Sequence, residues 1–315
     1  FDRQLKIGFF APRSHRVVDC ENCILQPPIF ADIVKIFRKF IIKNGITVYD
    51  SEKHTGLLRH IYLRLAEATG EVMVCAVING EDLPHKNELI EKLTEIPSVK
   101  SIVLNINCDR TNVILGKECV TVWGNDCIYD VLCGVKVRLS PLSFYQVNHD
   151  MAQQLYEKAA EYACLSGKET VLDMYCGTGT IGLSMAKKAK RIIGAEIVPE
   201  AVLDAKRNAL ENGIENAEFI CADAGEAAQE LSSRGIKPDV VLLDPPRKGC
   251  SEMLLAEIVK MSPERIVYVS CDPSTLARDC FRLKDLGYET KRLAAADLFP
   301  RTVHVESVAL LTKQK

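Results

Sequence analysis

The sequence predicts an α/β protein: a doubly wound, mainly parallel sheet with an antiparallel terminal strand, preceded by a smaller mixed α/β domain built on an antiparallel sheet. Three observations carry this. Beyond Ser140-Pro141, short β-branched runs alternate with longer amphipathic segments, the rhythm of a parallel sheet with crossover helices. Before that point strand-like runs dominate. The last two strand-like runs have no helix between them, which implies a closing antiparallel hairpin.

The chain has 315 residues, more than one domain usually holds, and the expected division is 1–140 and 141–315. Hydrophobic residues make up 47%, enough for two cores. A formal net charge of -2 excludes a strongly basic, bulk-electrostatic nucleic-acid binder but leaves room for a local basic groove. Thirteen cysteines, an odd number scattered through strands and helices, suit a reducing cytoplasm rather than a disulfide framework. No signal peptide or run of about 18–20 apolar residues is visible. A cytoplasmic monomer with no membrane partner is expected. The chain opens at Phe1 rather than Met, directly in a strand-like pattern, so a preceding segment is expected.

In the first domain the strand-like segments are 5–11, 57–69, 71–79, 99–106, 112–116, 119–123 and 131–139. Segments 28–43 and 85–93 carry apolar residues at three- and four-residue spacing and read as helices. Gly70-Glu71 and Gly116-Lys117 look like hairpin turns. In the second domain helix 147–164 leads into strand 169–174 and helix 180–189. Strand 191–197 leads to helix 200–211, opened by Pro199 and stopped by Asn212-Gly213. Then come strand 217–222, helix 224–234, strand 239–243, helix 252–261, strand 265–270 and helix 273–285. Strands near 289–295 and 304–312 close the chain.

Four motifs fall at strand ends, where ligands of such sheets bind. In VLDMYCGTGTIGL (171–183), Gly177, Gly179 and Gly182 match G-x-G-x-x-G, and Glu196 ends the next strand, placed to accept from ribose hydroxyls. A dinucleotide and S-adenosylmethionine both present that ribose. Asp173, just before the loop, would repel a pyrophosphate but suits a cationic methionine moiety, and Asp223 ends the third strand where an adenine amino group can be met. The adenosylmethionine reading is therefore favoured. LLDPPRKG (242–249) presents Asp244 on a turn stiffened by two prolines, also a pattern of N-methyltransferases. Cys271 ends strand 265–270 just before a helix that Pro273 begins, where the helix dipole should favour a thiolate. Cys176, in the glycine loop, is the rival thiol. Glu306 stands among apolar neighbours, where burial would raise its pKa and suit it to proton transfer; the alternative is an edge-strand surface glutamate.

Together, SFYQVN (143–148), DMYCGTGTIGL (173–183), LLDPPRKG (242–249), SCDPSTLARD (270–279) and FPRTVHVES (299–307) resemble the RNA (uracil-5-)-methyltransferase family, most closely its 23S ribosomal RNA members. The resemblance covers nearly the whole chain, weakest at 30–130. It implies a Rossmann-like class I methyltransferase domain in which Cys271 attacks C6 of uracil and Glu306 later removes the C5 proton. By the same resemblance Gln146, Tyr175, Gly177, Thr180, Glu196, Asp223 and Asp244 would hold S-adenosylmethionine, with Asp244 between cofactor and base. A uracil in folded RNA must be flipped out to be reached. Some members carry a [4Fe-4S] cluster on four cysteines. Cys23 in DCENCILQPP matches the fourth, Cys20 is extra, and the first three have no counterpart in the chain. Ribosomal RNA is favoured over transfer RNA on the Cys23 context. Two further readings are a D-P-P-type N-methyltransferase and an inactive RNA-binding homologue. Candidate phosphate contacts are Arg13, His15, Arg16, Arg59, His60 and Arg64, with Arg247, Lys248, Arg278 and Arg301 near the motifs.

Overall fold

A computed structural model describes residues 5–314. It divides into two compact units, Phe1–Asp130 with Leu139–Leu142, and Val131–Arg138 with Ser143–Lys315. Among the described residues no helix is long and apolar enough to cross a membrane.

The first unit opens with β1 (Gly8–Phe10) paired antiparallel to β2 (Val17–Asp19), a short strand without a sequence signal. Helix α1 (Pro28–Asn44) starts with proline in its first turn and ends at Gly45, whose φ of 61° an L-residue side chain would resist. Its Phe30, Ile33, Phe37 and Ile41 repeat at helical spacing and are buried. Strands β3 (Leu58–Ala66), β4 (Glu71–Ile78), β5 (Val99–Ile106) and β6 (Glu118–Gly124) form one sheet in that order. Helix α2 (Lys86–Thr94) lies between β4 and β5 in the chain, and that crossover makes their pairing parallel; the other two pairings are antiparallel. The sheet is therefore mixed rather than wholly antiparallel. From Val72 to Ile78 every residue of β4 is buried, as a central strand requires.

Two sequence-predicted elements are corrected. Residues 112–116 form a loop rather than a strand, so Gly116-Lys117 is no hairpin turn. Asn107 Nδ2 donates to the carbonyls of Val113 and Ile114 at 2.9 and 3.0 Å, and Asn105 brackets Gly116 through both amide atoms. Side chains thus satisfy backbone groups that a ladder would otherwise pair. Segment 131–139 is a hairpin, β7 (Ile128–Leu132) and β8 (Val135–Leu139), turning at Cys133 and Gly134 with φ of 50° and 76°.

In the second unit α3 (His149–Ala163), capped by Asn148, precedes an alternating series. Its members are β9 (Thr170–Met174), α4 (Thr180–Met185), β10 (Arg191–Glu196), α5 (Pro199–Glu211), β11 (Ala217–Cys221), α6 (Ala224–Ser233), β12 (Val240–Leu243), α7 (Glu252–Met261), β13 (Arg265–Ser270) and α8 (Pro273–Asp285). Strands β14 (Tyr288–Ala296) and β15 (Glu306–Lys313) end it. The sheet order is β11-β10-β9-β12-β13-β15-β14, and only β15 and β14 enter through antiparallel pairings. Helices α6, α7 and α8 pack on one face through Ala227, Leu254, Ile258 and Leu283; α3 and α4 pack on the other through Leu155, Ala159, Ile181 and Met185. The strand order reverses between β9 and β12, so the ligand crevice belongs at their carboxyl ends.

Candidate active site

At that reversal lies a cavity of about 90 Å³. It is lined by Phe144, Tyr145, Gln146, Tyr156, Tyr175, Cys176, Gly177, Thr178, Thr180 and Asp244, with Leu132, Ile181 and Ala201. Of the predicted cofactor residues, Gln146, Tyr175, Gly177, Thr180 and Asp244 therefore share one cavity. Glu196 and Asp223 are not among its walls. Asp223 caps α6, accepting from Gly225 N–H at 2.8 Å, and is exposed. Tyr156 escaped the sequence reading because it sits in the apolar periodicity of α3, where it looks like core. Phe144 and Tyr145 stand in the S-F-Y-Q-V-N motif, but only their exposure to the cavity distinguishes them.

The three glycines serve different needs. Gly177 has φ of 54° and open space where a Cβ would stand. Gly179, with φ of 81°, caps α4 at its start and abuts Phe219. A Cβ on Gly182 would lie 2.6 Å from Asp173 Oδ2 and 3.1 Å from Ile192. Close approach to a ligand is thus a role only for Gly177, and packing explains the other two. Their amides decide the ligand class. Gly177 N–H donates to Glu196 Oε2 at 3.0 Å and Gly182 N–H to Asp173 Oδ2 at 3.0 Å. Carboxylates occupy the loop amides that would otherwise cradle a pyrophosphate. Glu196, held also by Val198 N–H at 2.9 Å, keeps lone pairs for hydroxyl donors. Buried Asp173, 1% exposed, has its carboxyl pushed up to about 7 by desolvation, against the Gly182 bond, with Asp244 and Glu196 raising it further. Acidic groups around an aromatic cavity fit a cationic adenosyl donor.

The residues the sequence predicts as catalytic lie near the Asp244 end of this cavity. Ser270 of β13 pairs with Ser307 of β15 at the end of their ladder; Cys271 directly follows Ser270 and Glu306 directly precedes Ser307, so the two lie near each other just beyond it. Strand β12 flanks β13 on the other side, pairing Leu243 with Tyr268, and Asp244 follows it. Glu306 is 4% exposed on an interior strand, which rules out the surface-glutamate alternative. Burial raises its pKa, partly offset by the Arg247 charge. Asp244 has its carboxyl pushed up to about 7 by desolvation and by Glu306.

The expected helix-dipole activation of Cys271 is overturned. Asp272 caps α8, accepting from Ser274 and Thr275 N–H at 2.8 and 3.1 Å, so those amides face a carboxylate rather than a thiolate. Desolvation first, then Glu306 and Asp244, raise the Cys271 thiol above its ordinary value; Arg247 works in the opposite direction. Cys176 is buried and pushed further up still by desolvation and Asp173.

Several candidate phosphate contacts are otherwise engaged. Arg59 donates to the carbonyls of Asn107, Asp109 and Thr111 at 2.5, 2.8 and 3.2 Å and lies over the Tyr49 ring, organising the 107–111 turn. Arg64 donates to the Tyr62 hydroxyl. Burial, then Arg59, lowers the His60 pKa. Arg13, His15, Arg16, Lys248 and Arg301 are exposed. Cys20 and Cys23 are half-buried, and among the described residues no three cysteines gather closely enough to hold a metal. The four-thiolate set of a [4Fe-4S] cluster is not assembled by these residues.

A doubly wound sheet with one inserted antiparallel strand, and acidic groups at its reversal, defines an S-adenosylmethionine-dependent methyltransferase. A family model described as tRNA (uracil-5-)-methyltransferase matches residues 117–314. An uncharacterized RNA methyltransferase of Clostridium tetani is 49% identical over 310 residues, covering 98% of this chain and 67% of that protein. Another, of Halalkalibacterium halodurans, is 48% identical over 305 residues, covering 96% and 67%. The crystal structure of Pyrococcus abyssi tRNA (uracil-54, C5)-methyltransferase with S-adenosyl-L-homocysteine aligns with a TM-score of 0.81 at 32% identity, over 94% of this chain and 70% of that one. The chain belongs to the RNA (uracil-5-)-methyltransferase family and is an S-adenosylmethionine-dependent enzyme of it. It spans about two thirds of the length of the two bacterial relatives.

Proposed function

We propose that this enzyme methylates C5 of a uridine in folded RNA through a covalent Cys271 adduct. The observation that supports the reading is the β13–β15 ladder, whose last pair, Ser270 and Ser307, is flanked by Cys271 and Glu306, with Asp244 just past the end of neighbouring β12. C5 of uracil is a weak nucleophile until C6 is occupied. Cys271 loses its thiol proton to water and the thiolate forms an S–C6 bond, while the C5=C6 electron pair moves to C5 and the O4 enolate. S-adenosylmethionine supplies the methyl group. Glu306 then takes the C5 proton, the C5=C6 bond re-forms and the Cys271 sulfur leaves with its bonding pair. Arg247 offsets the negative charge that builds up around the pair. Asp244, neutral below about pH 7, can donate to the base edge.

Gln146, Tyr175, Gly177 and Thr180 would hold the methyl donor from the cavity walls, with Glu196 accepting from its ribose behind Gly177. For Asp223 the support is its place at the end of β11, while its capping of α6 argues for a structural share. The first unit would help hold RNA through Arg13, His15 and Arg16. Ribosomal RNA remains the favoured substrate on the Cys23 sequence context. The Pyrococcus abyssi neighbour acts on tRNA uracil-54, so transfer RNA is the second reading. RNA tritiated at uracil C5 tests the chemistry. Cofactor-dependent tritium release lost in Cys271→Ala is expected, and methylation without release would refute the mechanism in favour of N-methylation. Mass spectrometry of 23S rRNA and tRNA from cells lacking the gene separates the substrates: loss of 5-methyluridine from tRNA alone would overturn the ribosomal choice.

A further inference from the structure

Asp279 lies on α8, away from the cavity walls, and is fully buried. Four donors converge on its carboxylate. They are the Tyr268 hydroxyl at 2.7 Å, Cys250 N–H at 2.8 Å, Arg278 Nε at 2.9 Å and Arg282 Nη1 at 3.3 Å. A buried carboxylate needs partners, and two arginines would already balance its charge. The remaining contacts reach a particular segment. Cys250 closes the turn that Asp244-Pro245-Pro246-Arg247 opens, and Arg278 Nη2 donates to Lys248 O at 2.8 Å. Between them Gly249 has φ of 72°, and a Cβ there would stand 2.5 Å from both Asp279 Oδ2 and Arg278 Nη2. The turn is thus fastened to α8 at Lys248 and Cys250, with Gly249 packed closely between them. At its free side Arg247 Nη2 lies 3.4 Å from His304 Nε2, two residues before Glu306.

We propose that Asp279 is a positioning residue for methyl transfer: its grip on Cys250 and Arg278 fixes the 244–250 turn, and with it the guanidinium of Arg247 against the segment that carries Glu306. The inference deepens, and rests on, the reading of Cys271 as nucleophile. The charges that act on Cys271 are the carboxylates of Glu306 on β15 and Asp244 at the end of β12 and, in the opposite direction, the guanidinium of Arg247 on the turn, with the Asp272 carboxylate next to Cys271 engaged in capping. Arg247 is the one cation in that set. If it drifts, the thiol is left among carboxylates and ionises only at higher pH.

The test reads the thiol directly, by the pH dependence of Cys271 alkylation with iodoacetamide, followed on its tryptic peptide by mass spectrometry. Single-turnover methyl transfer is measured on the same variants. Asp279→Asn should move the alkylation midpoint up by about 0.3 pH unit, an about twofold slower reaction at neutral pH. Arg278→Gln should move it the same way by less. Arg282→Gln, which removes a bond to Asp279 but none to the turn, should leave it in place. An unmoved midpoint in folded Asp279→Asn protein, with only thermal stability lost, overturns the positioning role. Should Asp279→Asn not fold, equal midpoints for Arg278→Gln and Arg282→Gln overturn it instead. A raised midpoint with unchanged methyl transfer supports the positioning of Arg247 and refutes Cys271 as nucleophile.

Discussion

Asp244→Asn should make the protein more heat-stable above pH 7. Asp244 makes no side-chain hydrogen bond among the described residues, yet its carboxyl is raised from 3.8 to about 7 by desolvation and Glu306. The folded state therefore holds a proton that the unfolded chain releases near pH 4. Stability is fully present below that lower value and is lost as pH rises towards 7. A rise of this size corresponds to roughly 4 kcal/mol. The side chain is only half-buried and faces a cavity that admits water, so about 2 kcal/mol is the working figure. An amide keeps the shape and never ionises. For a unit of this size that is about 4–8 °C in Tm. Circular dichroism melts from pH 4 to 8.5 should show the two proteins melting together near pH 4 and separating by that amount at pH 8. A difference in Tm that does not change with pH would refute the electrostatic argument.

Glu306→Gln should stall proton removal and leave a protein–RNA adduct visible on denaturing gels; normal turnover with no adduct would remove Glu306 from the mechanism. The pH profile of kcat/KM should rise through the Cys271 thiol, beyond the ordinary thiol value of 9.0, because burial and two carboxylates lift it; a plateau below pH 8 would contradict this. Gly182→Ala drives a Cβ into Asp173 and Ile192 and should cost about 1–3 kcal/mol in urea melts. Arg59→Gln should loosen the 107–111 turn without changing the salt dependence of RNA binding; a slope smaller by about one would make Arg59 a phosphate contact.

Much of the second unit is legible in the sequence because its signals are local. Pro199 and Pro273 mark helix starts, and each strand of the alternating series is a compact apolar run. The misread segments are those whose hydrogen bonds come from side chains or whose turns lack a strong punctuator. The 112–116 loop is apolar enough for a strand, but Asn105 and Asn107 claim its carbonyls. The hairpin at 131–139 turns on Cys133-Gly134, where a cysteine at positive φ gives no warning. Within the site, Cys271 and Asp244 are conspicuous by their strand-end motifs. The electrostatics of Cys271 are not, since they depend on the β15 register and on Asp272 choosing the helix amides. Tyr156 is invisible for a different reason: the periodicity of α3 is the same whether its inner face meets core or cavity.

The insertion of β15 between β13 and β14 also ties the far edge of the sheet to the chain's last strand. Strand β14 precedes β15 in the chain but enters the sheet through it. The strand that carries Glu306 is therefore also the one that seats the edge, and a change that loosens β15 from β13 would disturb both together.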